Sequence, residues 1–435
     1  MRSKYVLTIK KRSQTELLVG ILVLLPFFFG LLNGFLGLPR TIRYGMDVAW
    51  VWLTVIMLRH KGLLRGKGVT GLLAWVILFL VYTLLVYLVQ YQSGLYYLWG
   101  FRNNFRRYFA FFAFVGFLTA ADVENYLGIF DKLFWINVVA SIYQVVVLQI
   151  NWDYLGGIFG IETGVNGYTN IYFVIVITSS IVRYMEKRES TVSCFSKCIA
   201  ALLVAALAEL KFFFVEMILI IALATLFTNF TWRKFLIVTG GIVAVFAFAA
   251  LLGMVFPLFA DFLSLEYFWE TATSTKGYTS SGDLNRLTAI PRINELWLTN
   301  WAQRLFGLGM GNCDTSTFAV VNTPFYEQYG HMHYTWMTYA HTYLETGYIG
   351  LIFYFGFFVL VYLGIEKIEK RSEGQTKTHC RVARIVAILC TIISVYNSSM
   401  RHEATYMAHF VMAVPFALGR TVNRTESCKI RSDRA

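Results

Sequence analysis

Long apolar runs separated by short polar segments recur along almost the whole chain. The first run, residues 17–38, has no charged side chain. The pattern predicts an all-α polytopic membrane protein with about 12 transmembrane helices, since a helix needs roughly 20 apolar residues to cross the hydrocarbon core of a bilayer. The predicted spans are residues 17–38, 45–58, 71–91, 108–121, 129–150, 169–184, 193–210, 212–229, 235–257, 339–363, 382–398 and 404–419.

The composition excludes a soluble globular protein. Of the 435 residues, 57% are hydrophobic and 14% are charged, whereas soluble domains carry about a quarter charged residues. The net charge of +13 indicates, in a membrane protein, basic cytoplasmic loops and anionic partners rather than nucleic acid. The six cysteines show no CxxC spacing, so no zinc site or disulfide is predicted. We predict one membrane domain, residues 1–435, whose first span is retained rather than cleaved as a signal peptide.

The predicted orientation depends on how the apolar stretch 198–227 is divided. Glu209, Lys211 and Glu216 interrupt it, which is compatible with one tilted helix or with two helices joined by a tight turn. With two helices, Lys and Arg divide 27 to 11 between the N-terminal side of the membrane and the other side. With one helix they divide 19 to 18, and Lys211 lies in the membrane. The positive-inside rule favours the uneven division. We therefore predict two helices, cytoplasmic termini, and an outward-facing stretch 260–338 between spans nine and ten.

This outward loop is long for a connection without a role of its own. Apolar residues from Ile293 to Leu305 recur at helical spacing, which predicts an amphipathic helix that ends at Gly307. The glycines at 307, 309 and 311 predict a turn rather than a nucleotide-binding loop, because no strand precedes them.

Arginines on the outward side are the first candidate chemistry. Arg102, Arg106 and Arg107 cluster at the mouth of a predicted span, and Arg286 and Arg292 lie in the loop. Several converging guanidinium groups match the oxygens of a pyrophosphate. For Arg107, which abuts the span, contact with lipid headgroups is the alternative.

Lys211 and the outward histidines complete the set of candidates. Lys211 lies at a predicted turn between apolar helices and either serves function or pairs locally with Glu209. His341 precedes Glu345 by four residues, about one helical turn, so it is either a general base or a structurally bonded side chain. His331 and His333 have the spacing of a metal-ligand pair, but no third ligand lies at a convincing spacing, so no metal is predicted.

Three segments in fixed order resemble the Wzy-type polysaccharide polymerase and O-antigen ligase superfamily. In that superfamily an arginine precedes the loop helix, a glycine-rich turn follows it, and a histidine-led segment opens the next span. The matching segments here are residues 284–286 (LNR), 305–312 (LFGLGMGN) and 340–351 (AHTYLETGYIGL). Residues 102–107, the glycines and asparagine of 159–166, and the position of Lys211 are also similar to family features.

The resemblance implies a GT-C-like, inverting, metal-independent glycosyltransferase without a cofactor, multi-pass in the bacterial cytoplasmic membrane. It implies polymerisation of undecaprenyl-pyrophosphate-linked oligosaccharides into an O-antigen, capsule or exopolysaccharide on the outer face, with a flippase and a chain-length regulator as partners beside the membrane lipids. An O-antigen ligase acting on lipid A core, or a transporter of lipid-linked sugars, is the alternative. The implied catalytic residues are His341, Glu345 and Arg286, and the implied substrate-binding residues are Arg102, Arg106, Lys211, Arg292 and His333. Because the interval from His341 to Glu345 is shorter than in many members, His333 and His331 remain alternative bases.

Overall fold

A computed structural model describes residues 13–34, 36–60, 68–90, 92–150, 152–228, 282–316 and 318–432, together with positions 64 and 66 and short stretches between 239 and 274. All regular elements among these residues are helical. The α-helices used below are α1 (Gln14–Gly34), α2 (Gly45–Arg59), α3 (Val69–Gln90), α4 (Gly94–Phe117), α5 (Ala120–Val146), α6 (Asn166–Met185), α7 (Thr191–Leu207), α8 (Lys211–Phe227), α9 (Ala289–Leu296), α10 (Trp301–Phe306), α11 (Pro324–Tyr329), α12 (Thr338–Glu369), α13 (Gly374–Tyr396) and α14 (Thr405–Ser432).

Six of the described helical segments are long and apolar enough to cross a membrane. This is the pattern of a multi-pass membrane protein, as the apolar runs predict. The predicted span 235–257 lies largely outside the described residues. The six candidate spans are Gln14–Asn33, Arg40–Arg59, Val69–Gln90, Ala120–Val146, Thr338–Glu369 and Gly374–Tyr396.

Three helices begin well before their predicted starts. One is α5, which the reciprocal cap of Thr119 and Asp122 starts at Ala120 rather than at residue 129. The other two begin early for a different reason. The structure places the start of α4 at Gly94 rather than residue 108, and that of α13 at Gly374 rather than residue 382. The prediction was wrong because it assigned charged side chains to loops. In the structure these charges lie on the helices and are paired inside the protein: Arg106 contacts Glu403 at 2.6 Å, and Arg381 contacts Glu369 at 3.1 Å.

The division of the stretch 198–227 into two helices is confirmed. Helix α7 ends at Leu207 and α8 begins at Lys211. Glu209, in the turn between them, has a left-handed backbone with φ 54°, a conformation that ends a helix. Lys211 Nζ lies 3.1 Å from Glu209 Oε1, so the local pair, one of the two alternatives for Lys211, is present.

The prediction of a single amphipathic helix in the loop is wrong in one respect, because the structure has two short helices, α9 and α10, in its place. Asn300 accepts a hydrogen bond from the Gln303 N–H, and the Gln303 side chain accepts one from the Asn300 N–H. This reciprocal cap starts a new helix where the apolar periodicity alone continues. The predicted stop at Gly307 is confirmed, with φ 73°.

The loop helices pack on the start of α12 and form a second apolar cluster beside the core of the bundle. Its buried members include Ala289 and Ile293 from α9, and Tyr343 and Leu344 from α12. The loop is therefore fixed to the helix that carries His341.

Candidate functional site

Four segments meet at the end of the bundle that carries the loop: the first half of α4, residues 314–316 after the glycine run, the start of α12, and the connection 397–404 between α13 and α14. They line most of a cavity of about 390 Å³. Arginines and carboxylates dominate its wall, beside one buried histidine. The lining residues are Arg43, Trp99, Arg102, Asn103, Arg106, Asp314, Thr315, Ser316, Thr335, His341, Ser398, Arg401, His402 and Glu403.

His341 lies between two carboxylates at the inner wall of this cavity. Its side chain is 2% exposed, and its Nε2 atom is 3.4 Å from Glu345 Oε1 and 3.8 Å from Asp314 Oδ1. The contact with Glu345 follows from the four-residue spacing, which places both side chains on one face of α12. The Tyr334 ring meets the imidazole edge to face at 5.4 Å and restricts its rotation. This arrangement orients the imidazole with its Nε2 atom toward the carboxylates.

Arg401 bridges both carboxylates. Its Nη2 atom lies 3.2 Å from Asp314 Oδ2, and its Nη1 atom lies 3.5 Å from Glu345 Oε2. The planar fork of arginine suits this task because its nitrogens diverge in fixed directions. Two amides of α4 add support: Asn103 Nδ2 donates to Asp314 Oδ2 at 2.9 Å, and Asn104 Nδ2 donates to Glu345 Oε2 at 3.3 Å. The carboxylates are thus held in place from the side opposite His341.

The glycine run 307–311 positions Glu345 by direct contact. The Gly311 N–H donates to Glu345 Oε1 at 3.0 Å, and the Gly309 N–H donates to the Glu345 carbonyl oxygen at 2.9 Å. The turn reaches this close because Gly347, with φ 63° and ψ −166°, breaks α12 just after Glu345. The prediction of a turn is confirmed, and the turn supplies a hydrogen-bond donor to a buried carboxylate.

We expect Gly311→Ala to destabilise the protein. Gly311 has φ 84°, and a Cβ atom there would lie 2.0 Å from the carbonyl oxygen of Tyr96. Strain and overlap of this kind cost about 2 kcal/mol or more, so the apparent midpoint of thermal unfolding in detergent should fall by several degrees. The matched control is Gly71→Ala in α3, where a Cβ atom meets nothing within 4 Å; an equal fall in both variants would contradict the role of the turn.

A second charge network centres on Glu403. Its Oε1 atom lies 2.6 Å from Arg106 Nη1 and 3.7 Å from Arg102 Nη2, and its Oε2 atom accepts a hydrogen bond from the Tyr168 hydroxyl at 2.6 Å. Arg102 is also paired with Asp47 at 2.7 Å. Burial alone would raise the pKa of Glu403, but Arg106 and Arg102 outweigh it and hold that pKa below its ordinary value. Glu403 is therefore ionised at neutral pH.

The structure brings several of the predicted site residues together. His341, Arg102 and Arg106 line the cavity, and Glu345 lies directly behind His341. Arg107, predicted at the mouth of a span, is instead 1% exposed on α4; it donates to the Met400 carbonyl oxygen at 2.9 Å. Its burial disagrees with the lipid-headgroup alternative.

Arg286 belongs to a neighbouring group around Tyr396, at the end of α13. The Arg286 guanidinium lies over the Tyr396 ring at 4.4 Å, and its Nε atom donates to the Tyr396 carbonyl oxygen at 3.0 Å. Phe212, next to Lys211, stacks on the same ring at 4.1 Å. The connection that begins at residue 397 runs from this group to Arg401 and Glu403 in the cavity wall.

Two predicted binding residues lie apart from both groups. Arg292 is exposed on α9 and pairs with Glu295 at 2.9 Å. His333 stacks on Trp336 at 3.8 Å, and its Nδ1 atom is 3.0 Å from Asp283. Neither belongs to the lining of the 390 Å³ cavity.

Sequence reasoning assigned no role to Arg401, Glu403, Asp314 or Asn104. A signal for the first two was present: an arginine and a glutamate lie in the short connection between two apolar spans, where ionisable residues are usually functional. Asp314 and Asn104 carry no such signal, because only the fold brings them to His341.

Among the described residues, one group has ligand atoms close enough to one another to bind a metal. It consists of Asp314, His341 and Glu345. One ligand atom from each lies within 4.8 Å of the other two, and such a set suits a divalent cation. Arg401 places a positive charge on the second oxygen of both carboxylates. These residues are not His331 and His333, which have the spacing of a metal-ligand pair in the sequence.

Comparison with protein-family models gives no match, and comparison with curated proteins gives no relative.

Proposed function

We propose that this protein is a membrane glycosyltransferase that joins undecaprenyl-pyrophosphate-linked oligosaccharides into a surface polysaccharide. One observation carries the proposal: a single cavity presents Arg43, Arg102, Arg106 and Arg401 beside a buried histidine that is held by two carboxylates. Arginines suit a pyrophosphate, and a histidine of this kind suits a general base. The resemblance of three segments to Wzy-type polymerases and O-antigen ligases agrees with both assignments.

In the proposed reaction Arg43, Arg102 and Arg106 bind the pyrophosphate of the donor lipid, while Arg401 holds the two carboxylates beside His341. His341 accepts the proton of an acceptor hydroxyl at Nδ1, the ring nitrogen that does not face Glu345 and Asp314, while the hydroxyl oxygen forms a bond to the anomeric carbon of the donor sugar. The bond from that carbon to the phosphate oxygen breaks on the opposite face, which inverts the configuration, and the electron pair leaves with the pyrophosphate. The arginines stabilise the charge that develops on this leaving group. No step uses a metal or a cofactor.

The proposal includes a membrane orientation. In this orientation the chain crosses the membrane about 12 times in a GT-C-like arrangement, both termini lie inside, and the loop 260–338 and the cavity face outward from the cytoplasmic membrane. The uneven division of basic residues, 27 to 11, supports this orientation. Flipped lipid-linked repeat units would reach the cavity from the outer leaflet, beside a flippase and a chain-length regulator.

Reconstitution tests the function directly. The full-length protein in liposomes, supplied with undecaprenyl-pyrophosphate-linked repeat units, should yield a ladder of products that persists in EDTA. A single addition to lipid A core would identify a ligase instead. Movement of the lipid-linked sugar across the bilayer without bond formation would identify a transporter and reject the proposal, and loss of the ladder in EDTA would reject its metal-independent form.

A further inference from the structure

Glu403 holds the place in the cavity wall where the arginine charges converge. Arg106 and Arg102 contact its carboxylate at 2.6 Å and 3.7 Å, and Arg43 of the same cavity is within electrostatic range of it. The Tyr168 hydroxyl donates to its other oxygen. Two arginines and a hydroxyl directed at one anionic group form the same set of donors that binds a phosphate oxygen.

Because these arginines are charged, removal of the Glu403 carboxylate destabilises the folded protein unless another anion takes its place. Arg106 is 3% exposed. Among the described residues, its ion pair is with Glu403. Removing one partner of a buried ion pair leaves an uncompensated charge, which is strongly destabilising. A second anion at the same position restores the compensation.

A half-buried glutamate at the opposite end of the bundle shows a different arrangement. Glu189 contacts Arg183 at 3.1 Å and Lys197 at 3.0 Å, but both cations also contact Asp131, at 2.8 Å and 3.0 Å. Loss of Glu189 therefore leaves neither cation unpaired. The ion-pair contacts of Arg106, by contrast, join it to Glu403 alone among the described carboxylates.

We propose that Glu403 is an exchangeable counter-ion that occupies the position of a substrate phosphate group and is displaced when that group binds. The identity of the ligand as a lipid-linked pyrophosphate rests on the function proposed above; the exchange itself rests on the contacts of Glu403. Glu403 lies in the connection 397–404 rather than inside a helix, so the carboxylate is able to withdraw without unwinding one. In the resting protein, Glu403 and Asp47 neutralise Arg106 and Arg102 and reduce their affinity for other anions.

The experiment measures binding of inorganic pyrophosphate to the purified full-length protein in detergent. Glu403→Gln keeps the side-chain volume and an oxygen acceptor for Tyr168 but removes the competing charge. We expect its midpoint of thermal unfolding to lie below that of the wild type without pyrophosphate and to rise more steeply as pyrophosphate is added. The dissociation constant for pyrophosphate should fall about tenfold, and sodium chloride at equal ionic strength should not reproduce the effect.

Two further variants complete the test. Glu189→Gln is the control and should bind pyrophosphate as the wild type does. Glu403→Asp keeps the charge, so Arg106 keeps a counter-ion and the variant should fold even where Glu403→Gln does not. Its shorter side chain holds the carboxylate less closely to the arginines, so pyrophosphate should also bind more tightly than to the wild type, to a smaller extent. Unchanged or weaker pyrophosphate binding in Glu403→Gln, or in Glu403→Asp if the first variant does not fold, would overturn the exchange.

The outcome is separate from that of the proposed function, because binding is measured without glycosyl transfer. Tighter pyrophosphate binding by Glu403→Gln without any product ladder from the wild type would support the exchange and reject the polymerase. A ladder from the wild type without tighter binding in the variants would support the polymerase and reject the exchange.

Discussion

His341→Ala should abolish polymer formation while the protein still folds and reaches the membrane. A general base typically contributes about 10² to 10⁴-fold to a rate, and His341 is the histidine whose Nε2 atom lies 3.4 Å and 3.8 Å from two fixed carboxylates at the cavity wall. The measurement is the rate of ladder formation by the reconstituted variant. Unfolding midpoints in detergent check that the loss is not one of folding.

The matched controls are the two histidines upstream. His331 is exposed, and His333 packs against Trp336 and Asp283 away from the cavity lining, so His331→Ala and His333→Ala should at most reduce the rate. Loss of the ladder in His333→Ala with a normal ladder in His341→Ala would move the base to His333. Normal ladders from all three variants would show that no histidine of the three is the base, and that catalysis rests on the arginines and on substrate positioning.

The sequence predicts helices well where local signals agree and less well where charges are paired across the fold. The break between α7 and α8 was predictable because two independent signals, the interrupted apolar run and the division of basic residues, favour it. The end of α10 at Gly307 was predictable because glycine is the usual residue after the last turn of a helix. Both signals act within a few residues of the feature that they predict.

The early starts of α4 and α13 were not predictable in this way. A hydropathy pattern treats Arg106 and Arg381 as unfavourable to bury, because it contains no information about the carboxylates with which they pair. The partners, Glu403 and Glu369, lie 297 and 12 positions away in sequence. Only the fold shows that these charges are compensated, and compensation is what allows an ionised side chain to be buried.

The same limit applies to the candidate site. His341 and Glu345 were found together because one helical turn separates them, a spacing visible in any sequence. Asp314 and Arg401, which complete their surroundings, come from the turn after the glycine run and from the connection before α14. Arg286, which the resemblance implies as a catalytic residue, lies over Tyr396 at the end of α13 and outside the lining of the 390 Å³ cavity.

Arg401→Gln should cause the largest loss of stability of any single change at the site. Arg401 is 7% exposed and contacts Asp314 and Glu345, which are 4% and 0% exposed. Breaking a buried ion pair by removing one partner costs about 3 to 5 kcal/mol, so the unfolding midpoint in detergent should fall clearly. Polymer formation should fall with it, because Arg401 is a positioning residue that holds the two carboxylates beside His341.

A second substitution separates this electrostatic role from simple packing. In the double variant Arg401→Gln with Asp314→Asn, one of the two uncompensated carboxylates is gone, so the unfolding midpoint should recover part of the loss, whereas independent effects would add. Polymer formation should not recover, because the carboxylate that contacts His341 Nε2 at 3.8 Å is also lost. A double variant less stable than Arg401→Gln by the full effect of Asp314→Asn alone would show that Arg401 does not act through Asp314, and the bridge over the two carboxylates would have to be abandoned.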